Sequence, residues 1–293
     1  MSSEQGITKE LSLGEVVSKT FDLFRRDFLK YFLIFVAVEI IVGAATLLAY
    51  AVVKVPTVPV HPTDLSWLPG YLRALFGISV IIGITSLIVV PVGEGAAIKM
   101  AAAAVEGRPA ELGASVRFAL SKLVRLWVLG LVVAVVVLLG LVALVVPGVI
   151  LAIMLCLALP ALLLENVGVV ASLSRSRELV SHRWGKTFAV FLVLGLIIVV
   201  IVVVVSLVVG AFGVAGRVVM DVLSAFYQPI IPIALVVYYF SNKARVAPQV
   251  VQPPSVSGFA PQVGMKFCPN CGTQLHAAAT FCSNCGARQP TQS

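Results

Sequence analysis

Four of the five cysteines fall in two near-copies of one hexapeptide, Phe267–Gly272 and Phe281–Gly286, fourteen positions apart. Each copy holds a Cys-x-x-Cys pair closed by a glycine: Cys268 and Cys271 before Gly272, Cys282 and Cys285 before Gly286. A turn of that length points both sulfurs at one spot, and the glycine permits the positive φ that closes it. Two such knuckles supply four thiolates, the closed tetrahedral set of a structural Zn2+ with Zn–S near about 2.3 Å. No coordination position is left for a substrate, so the metal is structural and not catalytic. His276, between the knuckles, finds the shell full and is expected to be exposed.

Residues 266–288 are too few to bury a core of their own, so metal binding must supply the stability of this segment. Lys266 and Arg288 are its only bases. A basic stripe with exposed aromatics is missing, which argues against nucleic acid and for a protein partner. Phe267 and Phe281 stand at equivalent places and are expected to pack around the knuckles. Upstream, residues 242–265 carry Pro248, Pro253, Pro254 and Pro261, and proline at this density makes a stiff spacer. The pattern of residues 266–288 resembles the short zinc-ribbon domains appended to many prokaryotic membrane and regulatory proteins.

The remaining chain must position this tail, and its composition says in what solvent. Of 293 residues, 60% are hydrophobic and only 12% charged, with a mean hydropathy of +1.07. A soluble domain carries about 25% charged residues, so this chain has too little polar surface to cover itself in water and belongs in a bilayer. Residues 1–30 include Glu4, Glu10, Glu15, Asp22 and Asp27 and no short apolar stretch before a cleavage site, so no removable signal is expected.

A spanning helix needs about 20 apolar residues. Six segments qualify: Leu33–Val53, Leu72–Val92, Leu126–Val146, Val149–Leu164, Thr187–Phe212 and Val218–Phe240. Many are rich in Val and Ile, but in lipid the backbone must satisfy its own hydrogen bonds, so they form helices. The fourth is short and contains Pro160. Only Val146, Pro147 and Gly148 separate it from the third, and Pro147 with Gly148 is expected to form a tight reversal. These two spans either cross the membrane fully or form a re-entrant hairpin.

Basic residues set the orientation. The segment before the first span, those after the second and fourth, and the tail hold 18 of the 21 Lys and Arg residues. The opposite side has Lys54, Arg73 and Arg217. Both termini are therefore expected in the cytoplasm, at the cell membrane, and the ribbon with them. A cytosolic ribbon also sits where thiols stay reduced and available to metal.

A repeat precedes the odd-numbered spans. Leu13-Gly14 is followed by Val17, Phe21, Phe24 and Phe28, and Leu112-Gly113 by Val116, Leu120, Leu123 and Trp127, each set one stripe of a helix. Val167-Gly168 begins a looser third copy with Leu173, Val180 and Trp184. The expected fold is thus an all-α polytopic protein. A cytoplasmic N-terminal segment, 1–32, carries the first amphipathic helix; a six-helix membrane domain, 33–241, is built as three hairpins, each after an amphipathic interfacial helix; a linker and a zinc ribbon follow.

The stretches Leu144–Ala152, Leu159–Glu165, Ser172–Val180 and Trp184–Lys186, with the opening Leu11–Phe21, resemble a prokaryotic family of six-span proteins. Its domain takes its name from the membrane region fused to some glycerophosphodiester phosphodiesterases. The likeness runs over residues 10–241 and implies the topology; the catalytic domain behind that name is absent from this chain.

Inside the apolar belt, Glu39 is the ionisable residue that stands out, either as a protonatable or cation-coordinating group or as a paired Glu holding helices together. Glu94, Glu165 and Asp221 fall near span ends and read as interfacial. Pro91, Pro160, Pro229 and Pro232 are candidates for kinks that free backbone carbonyls, and Cys156 reads as a packing residue. His61, His182 and His276 do not converge with carboxylates in any catalytic spacing, so no enzyme is expected. The expected role is a non-enzymatic scaffold or accessory protein whose ribbon contacts a cytosolic partner. The competing role is a transporter or lipid-handling protein with the ribbon as regulatory domain.

Overall fold

The computed structural model describes residues 7–56, 65–209, 220, 222–246, 265–276 and 279–288. His61, Arg217, Asp221 and the prolines of the linker lie outside them. The chain divides into two compact units, Met1–Ala247 and Pro248–Ser293.

The first unit is helical. In chain order it contains α1 (Leu13–Arg26), α2 (Phe28–Val52), α3 (Leu68–Val105), α4 (Leu112–Ser121), α5 (Leu123–Ala143), α6 (Val145–Leu155), α7 (Ala158–Leu164), α8 (Val169–Val180), α9 (Trp184–Val209) and α10 (Ile230–Val246). Six helical segments among the described residues are long and apolar enough to cross a bilayer: Phe28–Val52, Leu68–Val105, Leu123–Ala143, Val145–Leu164, Trp184–Leu207 and Val222–Val246. Their outer faces show large apolar side chains such as Leu47, Phe76, Leu131 and Leu207. A water-soluble protein would hide such faces; a lipid-facing one need not.

The three short amphipathic helices are present, each running into a span: α1 into α2, α4 into α5, α8 into α9. Their inward faces differ from the expected stripe by one residue. Val16, Thr20 and Leu23 are the buried residues of α1, Ser115 and Ala119 those of α4, and α8 buries Ser172, Ser176, Leu179 and Val180. Counted from each helix start, these share the fourth and eighth positions, so the third copy is in register from Val169 and not from Val167. Small or hydroxyl-bearing residues face the neighbouring helices because they allow close approach in lipid. Of the bulkier stripe, Leu120, Trp127 and Trp184 are exposed, while Val17, Phe21, Phe24, Val116 and Leu173 are half-buried against the core.

The reversal between the third and fourth spans does not use glycine as a turn. Leu144 alone connects α5 to α6, in an extended conformation with φ −164 and ψ 146, and Pro147 and Gly148 already belong to α6. Gly148 matters instead because α5 crosses it: a Cβ there would lie 2.5 Å from Leu141 Cγ and 2.6 Å from the Leu141 backbone nitrogen. Gly148→Ala is expected to cost about 1–3 kcal/mol through forced separation of the hairpin. The unfolding midpoint in detergent reads this, and an unchanged midpoint would refute the close approach.

The fourth span is broken between Leu155 and Ala158, at the Cys156 carbonyl to which Pro160 cannot donate. Ser176 on α8 bridges the gap: its Oγ accepts the Leu157 N–H at 3.1 Å and donates to the Met154 carbonyl at 2.7 Å. Pro91 lies inside α3 without breaking it. It has no N–H for the carbonyl of Leu87, and that carbonyl takes the indole N–H of Trp127 from α5 instead.

At about 1.5 Å per residue, the 38 residues of α3 span about 57 Å, well beyond an apolar core of about 30 Å. The surplus, Ala96–Val105, is buried almost throughout and packs among α1, α4, α7 and α10. Glu10 ties the chain start to α9, with Lys186 Nζ at 2.5 Å and Arg183 Nη2 at 3.2 Å. The Lys186 hydrogen bond holds the Glu10 carboxyl below its usual range. Ser241 on α10 accepts the Leu11 N–H at 2.9 Å.

The second unit contains β1 (Met265–Phe267) paired antiparallel with β2 (Gln274–His276), Phe267 opposite Gln274. An isolated bridge joins Phe281 to Arg288.

Candidate metal centre and intramembrane polar site

The fourteen-residue sequence repeat is also a structural repeat. Cys268 N–H donates to Thr273 O at 2.9 Å and Gly272 N–H to Cys268 O at 2.8 Å; Cys282 N–H donates to Ala287 O and Gly286 N–H to Cys282 O, both at 2.9 Å. Gly272 and Gly286 have φ of 71 and 70, the left-handed conformation that a side chain would strain. Each knuckle thereby closes on its own pair of sulfurs.

The four sulfurs of Cys268, Cys271, Cys282 and Cys285 lie within 4.8 Å of one another. The cross-knuckle distances are 3.7 Å for Cys268–Cys285 and 3.5 Å for Cys271–Cys282. A tetrahedron with Zn–S of about 2.3 Å has edges of about 3.8 Å, so the residues present fit a structural Zn2+. Leu275 is the one apolar residue besides the cysteines buried in this unit among the described residues. That is far too little apolar area to hold the segment folded without metal. His276 is exposed and outside the sulfur cluster.

Phe267 and Phe281 do not pack around the knuckles. They are 66% and 60% exposed, because each strand alternates and the preceding position must face away when the cysteine faces the metal. The ribbon therefore presents two aromatic side chains in equivalent settings.

In the membrane unit, Glu39 is held from the last span. Its Oε1 accepts from Ser224 Oγ at 2.8 Å and from the Gln228 side-chain amide. This fits the helix-holding role. Glu94 lies within α3 just before the buried surplus Ala96–Val105, near the end of the span as expected, and Glu39 and Glu94 line one cavity of about 480 Å3. Antiparallel pairing of α2 with α3 puts Gly77 against Val53 and Gly93 against Phe35 and Val38. Glu94 and Glu39 thereby border the same cavity from neighbouring helices. The signal that could have placed Glu94 within a helix was the alanine-rich run beyond Pro91, since a single proline kinks a membrane helix without ending it.

Glu165, by contrast, does sit among polar groups. It accepts from Tyr239 Oη at 2.6 Å and from Arg175 Nε at 3.0 Å. Burial alone would raise its carboxyl, but the Tyr239 and Arg175 bonds outweigh that and hold it below the usual range. Cys156 is at the break of the fourth span, partly buried and unpaired with any other cysteine.

Fold and site together define a helical multi-pass membrane protein with a zinc ribbon at its C-terminal end. A zinc-ribbon domain model matches residues 267–289, the segment that contains both knuckles. No curated protein and no solved structure matches the chain.

Proposed function

We propose that this chain is a non-enzymatic membrane scaffold, with both termini in the cytoplasm, whose ribbon holds a cytosolic protein near the bilayer. The observation that carries this reading is the outward pair Phe267 and Phe281 on a closed tetrathiolate module. Exposed aromatics on a rigid frame are the usual anchors of protein contacts, and the four cysteines leave no open metal position for chemistry. The concentration of Lys and Arg on one side supports the orientation. The likeness of residues 10–241 to the phosphodiesterase-associated membrane family supports six spans and supplies no activity.

A photo-crosslinking amino acid placed at position 267 or 281 in living cells tests the contact, with the exposed Thr280 as control. Discrete protein adducts from 267 and 281, stronger than from 280, are the expected result. Absence of adducts at both positions under several growth conditions would sink the scaffold reading. The cavity at Glu39 and Glu94 favours a second reading, a carrier with the ribbon as its regulatory domain. In that case Glu39→Gln abolishes transport while leaving the crosslinks intact.

A further inference from the structure

The cavity lined by Glu39 and Glu94 has the character of a ligand site. Its volume of about 480 Å3 lies in the range of small-molecule pockets, about 300–1,000 Å3. Among the described residues no Lys, Arg or His lines it, while Glu39 and Glu94 both do. Glu39 accepts from two neutral donors, Ser224 and Gln228. Glu94 has no hydrogen bond or ion pair among the described residues, an expensive arrangement in an apolar setting unless a cation or a proton joins it.

The backbone of the wall is also interrupted. Turns at 228–229 divide the last span, and neither Pro229 nor Pro232 can donate to the carbonyl four residues earlier. The carbonyls of Ala225 and Gln228 thereby lack their usual helical donor. Broken helices at membrane depth are tolerated where they line a cavity. The rest of the wall is apolar and aromatic, with Phe35, Val42, Val90, Ile198 and Tyr227.

We propose that this cavity binds a lipophilic organic cation, its charge met by Glu39 and Glu94 and its apolar body covered by the surrounding wall. A bare metal ion would need a compact ring of oxygens, whereas this volume and this wall suit a bulky cation, with Phe35 and Tyr227 offering cation–π faces. The site is independent of any ribbon contact.

Binding of radiolabelled tetraphenylphosphonium to the full-length protein in detergent tests it. Saturable binding is expected, weakened at least tenfold by Glu94→Gln and by Glu39→Gln. Glu106→Gln, at a residue paired with Arg108 outside the cavity, leaves it unchanged, as does Phe267→Ser with Phe281→Ser. Uncharged triphenylphosphine oxide does not compete. Thermal unfolding verifies each variant, and because Glu94 has no hydrogen-bond partner among the described residues, its variant decides the matter if Glu39→Gln misfolds. Absence of saturable binding, or binding that Glu94→Gln leaves intact, overturns the site. Displacement of tetraphenylphosphonium by the neutral analogue overturns the ligand class.

Discussion

Replacing Cys282 by Ser unfolds residues 265–288 while the helical unit keeps its unfolding midpoint. The ribbon buries Leu275 and little else besides its cysteines, so the metal bonds are its folding energy. Structural zinc sites of this kind contribute about 10–16 kcal/mol at neutral pH, and no packing in the segment offsets the loss of one thiolate. Purified full-length protein should carry one Zn2+ per chain, released by a strong chelator with loss of protease resistance confined to the ribbon. The same variant should lose the metal at chelator concentrations that leave the wild-type ribbon loaded. A Cys282→Ser protein that retains both stoichiometric zinc and a protease-resistant ribbon would refute the four-sulfur centre. The Cys268→Ser variant should behave alike, because Cys268 holds in the first knuckle the place that Cys282 holds in the second, with the same hydrogen bonding and glycine geometry.

The second large effect is expected at Ser176. Its hydroxyl serves two backbone groups at the break of the fourth span, the Leu157 N–H and the Met154 carbonyl, and Ser176 itself is fully buried. Ser176→Ala leaves both groups without a partner where water is scarce. Each orphaned buried group costs about 1–3 kcal/mol, so the variant should lose about 2–5 kcal/mol, read as a lower unfolding midpoint in detergent. Hydrogen exchange should locate the damage, with the Leu157 amide exchanging faster while amides of α2 stay protected. Ser176→Cys, which keeps a weak donor, should fall between the two. Equal midpoints for wild type and Ser176→Ala would show that the break is satisfied by other means.

The two predictions sit at opposite ends of what could be foreseen. All four zinc ligands were legible because each knuckle is a local object: six residues dictate the turn, and the copy fourteen positions on supplies the other half. The membrane class and the six apolar segments were legible for a similar reason. A bilayer imposes a length and a polarity on each segment separately, whatever its neighbours do. The amphipathic helices were visible as periodic stripes, and their places before α2, α5 and α9 followed from the repeat.

Sequence reasoning assigned the wrong surroundings where neighbours distant in the chain set them. The stripe of α1 was visible, but which of its sides faces protein was decided by the helices that cover Val16, Thr20 and Leu23. Phe267 and Phe281 were expected inside because they are apolar, yet strand alternation turns them outward once the adjacent cysteines turn in.

Sequence by itself determined the solvent of this protein, the number of its apolar segments and the identity of its metal ligands. Tertiary structure decided the reversal at Leu144, the bridging role of Ser176 and the meeting of Glu39 with Ser224 and Gln228. Such contacts join helices many tens of residues apart. Their geometry depends on how closely small residues let those helices approach and on where proline interrupts them, which no local pattern records.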